Sequence, residues 1–251
     1  MDNNKAHYEK QYLNKIDYKY KTNTRYQRFL VKLLERHMNT KEVHSVCDVG
    51  CGQGLNTAFF VDDFPDAKVL GIDLSSTGIA YANQAYGHIE RLEFKCENIV
   101  DFDISSKHFD LVTAFELLEH IEDWTSVAEA MTKAANKYIM VSAPVGRMRD
   151  YEIKHGHYRN FKKGELENYF INMGFEMVEV YYAGFPFWSP ITRDLLNLIP
   201  GDSTKAQENM SFIGKTVSLV LYYLYRYCST RKWGGEQFVG LFKKLDTSNT
   251  K

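Results

Sequence analysis

The sequence has little of what marks an unusual fold. It has four cysteines, Cys47, Cys51, Cys96 and Cys228, and no two of them form a CxxC pair. That excludes a disulfide framework, and free thiols in a reducing cytosol are the simplest reading. Five prolines in 251 residues exclude a proline-rich or collagen-like chain. The longest apolar run, TVSLVLYYLY at residues 216–225, is roughly half the length needed to span a bilayer. The opening MDNNKAHYEKQYLNKIDYKYK lacks the apolar core of a secretory leader. The expectation is a cytoplasmic protein with no membrane span. No internal repeat or low-complexity tract is present.

What is present is ordinary globular composition, 44% hydrophobic and 25% charged. The net charge of −1 conceals an asymmetry. Residues 1–40 carry nine Lys/Arg against four Asp/Glu, and residues 205–251 carry eight against three. The middle of the chain is correspondingly acidic. Basic ends suit an anionic substrate or simply solvated helix faces.

Periodicity predicts a single domain over 1–251 in three parts. Residues 1–40 read as a helical cap, with Leu30, Leu33, Leu34 and His37 at helical spacing. Residues 41–183 and 234–246 alternate strands and helices. Strand signals lie in HSVCDVG, AKVLGIDLS, RLEFKCENI, FDLVTAFE, KYIMVSAP, FEMVEVYYAG and EQFVGLFKK. Such alternation predicts an α/β fold, a Rossmann-like and mostly parallel sheet with helices on both faces. Residues 184–233 break the rhythm with one short helix and one long apolar helix. The long one is expected to be buried in the core or in a homodimer interface, or to form an acceptor lid.

The chemistry starts at VCDVGCGQG. Gly50, Gly52 and Gly54 follow the first strand immediately. Glycines there let the chain turn sharply and bring bare backbone against a ligand at the carboxyl end of the sheet. A dinucleotide loop spelled G-x-G-x-x-G would need its third glycine at Leu55, and that glycine is missing. Asp73 ends the second strand, where a carboxylate can accept both hydroxyls of a ribose. Glu97 and Asn98 end the third, and TAFELLEH ends the fourth.

Together these segments resemble the class I S-adenosylmethionine-dependent methyltransferases from about residue 46 to residue 184. DVGCGQG resembles the family's first motif, GIDLS its second, CENI its third and FDLVTAFELLEHIED its fourth. Glu97 stands where the family more often has Asp. The resemblance implies a seven-stranded sheet with its last strand antiparallel and S-adenosylmethionine as methyl donor, with S-adenosylhomocysteine as product. It also implies site roles. Asp48, Gly50, Gly52 and Gly54 would hold the methionine part, Asp73 the ribose and Leu74 the adenine face. Glu97 or Asn98 would meet the adenine edge, and Phe115 and Glu116 would sit beside the methyl.

A hydroxyl or protonated amine acceptor also needs a base. His157, in KHGHYRNF, is the first candidate base or acceptor-orienting donor, with His120 and Glu116 as further catalytic candidates. His155, Tyr158 and Arg159 would contact the acceptor, and Arg159 could clamp a carboxylate. Phe187, Trp188 and Tyr222 of the insert would line the acceptor pocket. No metal requirement is expected. The alternative is a divalent cation on Glu116, Glu119 and His120, which the resemblance to metal-dependent O-methyltransferases suggests. The expected activity is methyl transfer to an oxygen or nitrogen of a small metabolite or natural product, or to a peptide-derived carboxylate. RNA modification is the alternative, because basic tyrosine-rich ends suit phosphates and stacking; the acidic middle and the lack of an RNA-binding module argue against nucleic acid. A non-catalytic cofactor-binding protein is a third reading.

Overall fold

The computed structural model describes residue 9 and residues 22–101, 108–198 and 211–245. The expected helix before residue 22 therefore lies outside the described residues, apart from Glu9. Among the described residues, α1 (Thr22–Glu35) is followed by β1 (Ser45–Val49), α2 (Leu55–Asp63), β2 (Lys68–Asp73), α3 (Ser76–Tyr86) and β3 (Leu92–Cys96). Then come β4 (Phe109–Phe115), α4 (Trp124–Ala134), β5 (Ala135–Pro144), α5 (Asp150–Lys154), α6 (Glu165–Asn172) and β6 (Phe175–Ala183). The insert forms an irregular turn (Phe187–Thr192), α7 (Arg193–Leu198) and α8 (Phe212–Cys228) before β7 (Gln237–Lys244).

The seven strands form one sheet in the order β3-β2-β1-β4-β5-β7-β6. All pairings are parallel except those of β7, which runs against both β5 and β6. The expected Rossmann-like sheet with a reversed last strand is therefore present. Both faces of the sheet are covered, so successive strand residues enter opposite cores. Val46 and Leu111 join the layer packed by α1, α2, α3 and α8, while Cys47 and Val112 join the layer packed by α4 and α6. Local signals bound the helices. The Ser75 hydroxyl caps α3 by accepting from Gly78 N at 3.1 Å, and Asp123 caps α4 through Ser126 N at 3.3 Å. Gly174 follows α6 at φ 87°, which a glycine adopts without steric cost.

The chain reverses direction across the sheet at β1. It moves outward through β2 and β3, then returns to place β4 on the other side of β1. A crevice opens at such a switch point, beyond the carboxyl ends of the strands. α1 closes one side of this end. Its Tyr26, Leu30 and Leu34 are buried in the core, and its Gln27 reaches the ends of β4 and β5.

Of the placements expected for the long apolar helix, burial in the core is corrected. Along α8 only Ser218 and Tyr225 are buried, and Phe212, Ile213, Val217, Val220, Tyr223 and Tyr227 are exposed. The face carrying Tyr225 is sufficient to close the core against Tyr26 and Trp188, so the opposite apolar stripe has no core left to enter.

Candidate active site

A cavity of about 440 Å³ occupies the switch-point crevice. Its walls come from the ends of β1, β2, β3 and β4: Val49 and Gly50, Ile72 to Ser75, Glu97 to Ile99, and Glu116 with Leu117. The segment around His120 to Asp123, and Tyr158, close the far side.

The glycine loop is built around a hydrogen-bonded carboxylate. Asp73 accepts Gly52 N at 2.8 Å on one oxygen and Ser75 N at 2.8 Å on the other. Burial raises its pKa, and these two N–H groups oppose that rise. Gly50 lies at φ 72° on the cavity wall, and a Cβ there would stand 2.6 Å from Leu117 Cδ1. Both the conformation and the space demand glycine. Gly54, at φ 80°, answers a different need: a Cβ there would meet the Phe94 ring at 2.6 Å. Its bareness seats α2 against β3. Glu9 adds a cap that sequence reading missed. Its carboxylate accepts Ser76 N at 2.8 Å and Thr77 N at 3.0 Å, and the Thr77 side chain together with these backbone bonds holds its pKa down to about 2.

The other side of the cavity is assembled from distant segments. Glu116 sits at φ 51°, a left-handed conformation that costs a non-glycine residue roughly 1–3 kcal/mol. That turn aims its carboxylate across the sheet. Oε1 accepts Ser142 Oγ and Gln237 Nε2, each at 2.7 Å, with Gln27 Nε2 at 3.4 Å. Gln27 also donates to Ser142 Oγ at 2.8 Å. Burial raises the Glu116 pKa against these bonds. Gln27, Ser142 and Gln237 were not legible as site residues, because only the β4–β5–β7 pairing brings them to Glu116.

Beside this lies an imidazole–carboxylate cluster. Ligand atoms of Glu119, His120 and His157 fall within 4.8 Å of one another, and the two imidazole rings meet edge to face at 4.4 Å. Glu119 is fully buried, and neither carboxylate oxygen has a hydrogen-bond partner among the described residues. Burial, and then the neighbouring Glu116, push its pKa well up. Burial also lowers the pKa of His157, favouring the neutral ring. The loop carrying His157 is pinned from behind. Arg193 pairs with Glu152, which accepts Asn160 Nδ2 at 3.0 Å, and Asn160 Oδ1 faces His157 Nδ1 at 3.4 Å.

Residues 47–137 match the family model described as a methyltransferase domain. The ubiquinone biosynthesis O-methyltransferase of Coxiella burnetii is 34% identical over 94 residues, covering 37% of this chain and 39% of the relative. The chloroplastic tocopherol O-methyltransferase of Arabidopsis thaliana is 29% identical over 168 residues, covering 65% and 44%. The chain thus spans well under half the length of these curated relatives. The magnesium protoporphyrin IX methyltransferase of Synechocystis, solved with bound S-adenosylhomocysteine, superposes with a TM-score of 0.55 at 14% identity over 88% of this chain and 81% of that one. Residues 47–137 thus resemble a methyltransferase domain, and the fold is shared with a methyltransferase solved with bound S-adenosylhomocysteine.

The cavity brings together Gly50, Asp73, Leu74, Glu97, Asn98, Glu116, His120 and Tyr158. The residues fit S-adenosylmethionine at the Gly50–Asp73 end, where bare left-handed backbone stands beside a buried carboxylate. Several expectations are corrected. Asp48 is buried behind the loop, with its oxygens taken by Thr57 Oγ1 at 2.6 Å and Thr113 Oγ1 at 2.7 Å; it ties β1 to α2 and β4 instead of facing the cavity. Phe115 packs on Phe60 in the core, because alternation along β4 turns it away. Among the insert aromatics, Trp188 and Phe187 enter the core layer under α1 and α8, which buries their large apolar area more fully than a cavity wall would. Tyr222 lines a separate groove. His155 turns back to Tyr151 O at 2.6 Å, and Arg159 donates to the Glu122 carbonyl. Glu116 does not join the cluster of Glu119 and His120, where His157 takes its place.

Proposed function

We propose that this chain transfers a methyl group from S-adenosylmethionine to a hydroxyl oxygen of a small molecule. The observation that carries this reading is the contiguity of two unlike walls in one cavity. A bare-backbone loop with Asp73 shares the cavity with His120, which clusters with buried Glu119 and half-buried His157. The relatives named above, both O-methyltransferases, support oxygen over nitrogen as the acceptor atom. When bound, the donor supplies an activated methyl and a neutral leaving group.

The protein's part is binding, alignment and proton handling. Asp73 is placed to accept ribose hydroxyls, and Gly50 leaves room for the chain that follows. Leu74 offers an apolar surface to a base, and Glu97 and Asn98 stand at its edge. Leu117 and Glu116 line the cavity, with Glu116 fixed by Ser142 and Gln237. His120 is the member of the imidazole cluster on the cavity wall, and neutral His157 stands behind it as a proton acceptor. One carboxylate and two imidazoles also suit a divalent cation, which would lower the pKa of a hydroxyl beside it. Glu119, His120 and His157 are the residues that would hold it.

Calorimetry with S-adenosylhomocysteine, against NAD as control, tests the donor half. Incubation of the protein and donor with phenols, sugars and amines, followed for a mass gain of one methyl, tests the acceptor half. Tight donor-product binding with gain only on amines would overturn the oxygen assignment. Turnover unchanged by chelation would leave the cluster to proton transfer alone.

A further inference from the structure

We propose that α8 and the basic groove beside it dock the protein on an anionic lipid surface. The exposed stripe Ile213, Val217, Val220, Tyr223 and Tyr227 runs along one face of α8 at spacings of four, three, three and four residues. That spacing keeps all five side chains on one line. Ile213 is 74% exposed, Val220 61% and Tyr227 64%, far more than a helix face packed against its own domain allows. Phe212 at the start of the helix and Trp233 just beyond it are also exposed. Tyrosine and tryptophan combine an apolar body with a polar edge, which suits the boundary between headgroups and acyl chains.

One flank of the stripe is cationic. Arg226 of α8 lines a groove of about 480 Å³ together with Arg25, Arg28, Lys32 and Arg36 of α1. Arg226 and Arg231 stack over the Phe29 ring at 4.7 and 5.2 Å. Glu35 and Asp63 pair with Arg28 and Lys32 of this group. α8 itself contains no Asp or Glu. A second copy pairing along this helix would therefore bring no carboxylate from its own α8 to the arginines, whereas an anionic bilayer supplies negative charge and an apolar interior together. The helix is 17 residues long with Lys215 and Arg226 on it, and no described helix is long and apolar enough to cross a membrane. An orientation in the plane of the surface accommodates both its apolar stripe and its charges.

Flotation of the full chain with vesicles tests this without reference to catalysis. The protein should float with phosphatidylcholine vesicles containing phosphatidylglycerol, stay behind with phosphatidylcholine alone, and be released by high salt. Val217→Asp with Val220→Asp should abolish flotation at unchanged melting temperature. Arg36→Ala, an exposed change that leaves α8 intact, should weaken partitioning about fivefold. Absence of flotation on the anionic vesicles overturns the proposal. So does equal flotation on both kinds. A stable dimer in light scattering that the paired aspartates dissociate would instead assign the face to a second copy.

Discussion

The two walls of the cavity are made in different ways. The Gly50–Asp73 wall uses backbone and strand-end residues from a stretch of 24 residues, and its key bond joins Gly52 N to Asp73. On the opposite wall Glu116 and His120 are backed by side chains from remote segments: Gln27, Ser142 and Gln237 hold Glu116, and Glu119 and His157 cluster with His120. A site made of backbone tolerates changes in the side chains around it and serves a fixed ligand. A site made of side chains on loops and a strained turn can be varied while the sheet stays intact. Under the proposed function, donor recognition falls to the first wall and acceptor chemistry to the second.

The largest expected effect strikes only the second wall. His157→Ala should lower kcat by about 10²- to 10⁴-fold, with S-adenosylhomocysteine affinity unchanged in calorimetry; a parallel loss of affinity would merge the two walls into one. Trp188→Ala should cost about 3–5 kcal/mol of stability as a core truncation and leave acceptor KM unchanged in enzyme that remains folded. A raised KM at wild-type stability would return Trp188 to the acceptor pocket.

A pH experiment isolates the support beneath the first wall. Burial raises the Asp48 pKa to about 6, against hydrogen bonds from Thr57 and Thr113. The folded state therefore holds this proton more tightly than the unfolded chain, in which the carboxyl titrates near 4. The stabilisation is complete below about pH 4 and is lost as pH rises to about 6, an amount of about 3 kcal/mol. Denaturant melts of wild type and Asp48→Asn across this range should diverge by that amount and run parallel above it. Parallel behaviour throughout would show that Asp48 is not perturbed. Asp73→Ala should weaken S-adenosylhomocysteine binding by about 1.5–3 kcal/mol with turnover at saturating donor little changed. Full affinity in this variant would remove the ribose assignment.

Much of the first wall was legible in the sequence. The glycine spacing, the strand ends at Asp73 and Glu97 and the caps at Ser75 and Asp123 are local patterns, and local patterns map directly onto an alternating α/β sheet. Even there, two roles were misjudged. Asp48 and Phe115 sit in the right motifs, but alternation and hydrogen bonding turn them inward. The second wall was legible only in pieces. Glu119 and His120 were visible as a cluster, while the third member, His157, lies 37 residues further along the chain. The partners of Glu116 come from as far as 121 residues away.

By itself, the sequence determined the order of the elements, the parallel sheet and the glycine loop at the cavity, because each depends on periodicity, caps and glycine freedom within a few residues. Tertiary structure alone decided which imidazole joins Glu119, which glutamine holds Glu116, and which side of α8 remains outside. Those outcomes depend on strand pairing and on competition for a finite core. Tyr225 and Trp188 fill that core, and the stripe from Ile213 to Tyr227 is left at the surface.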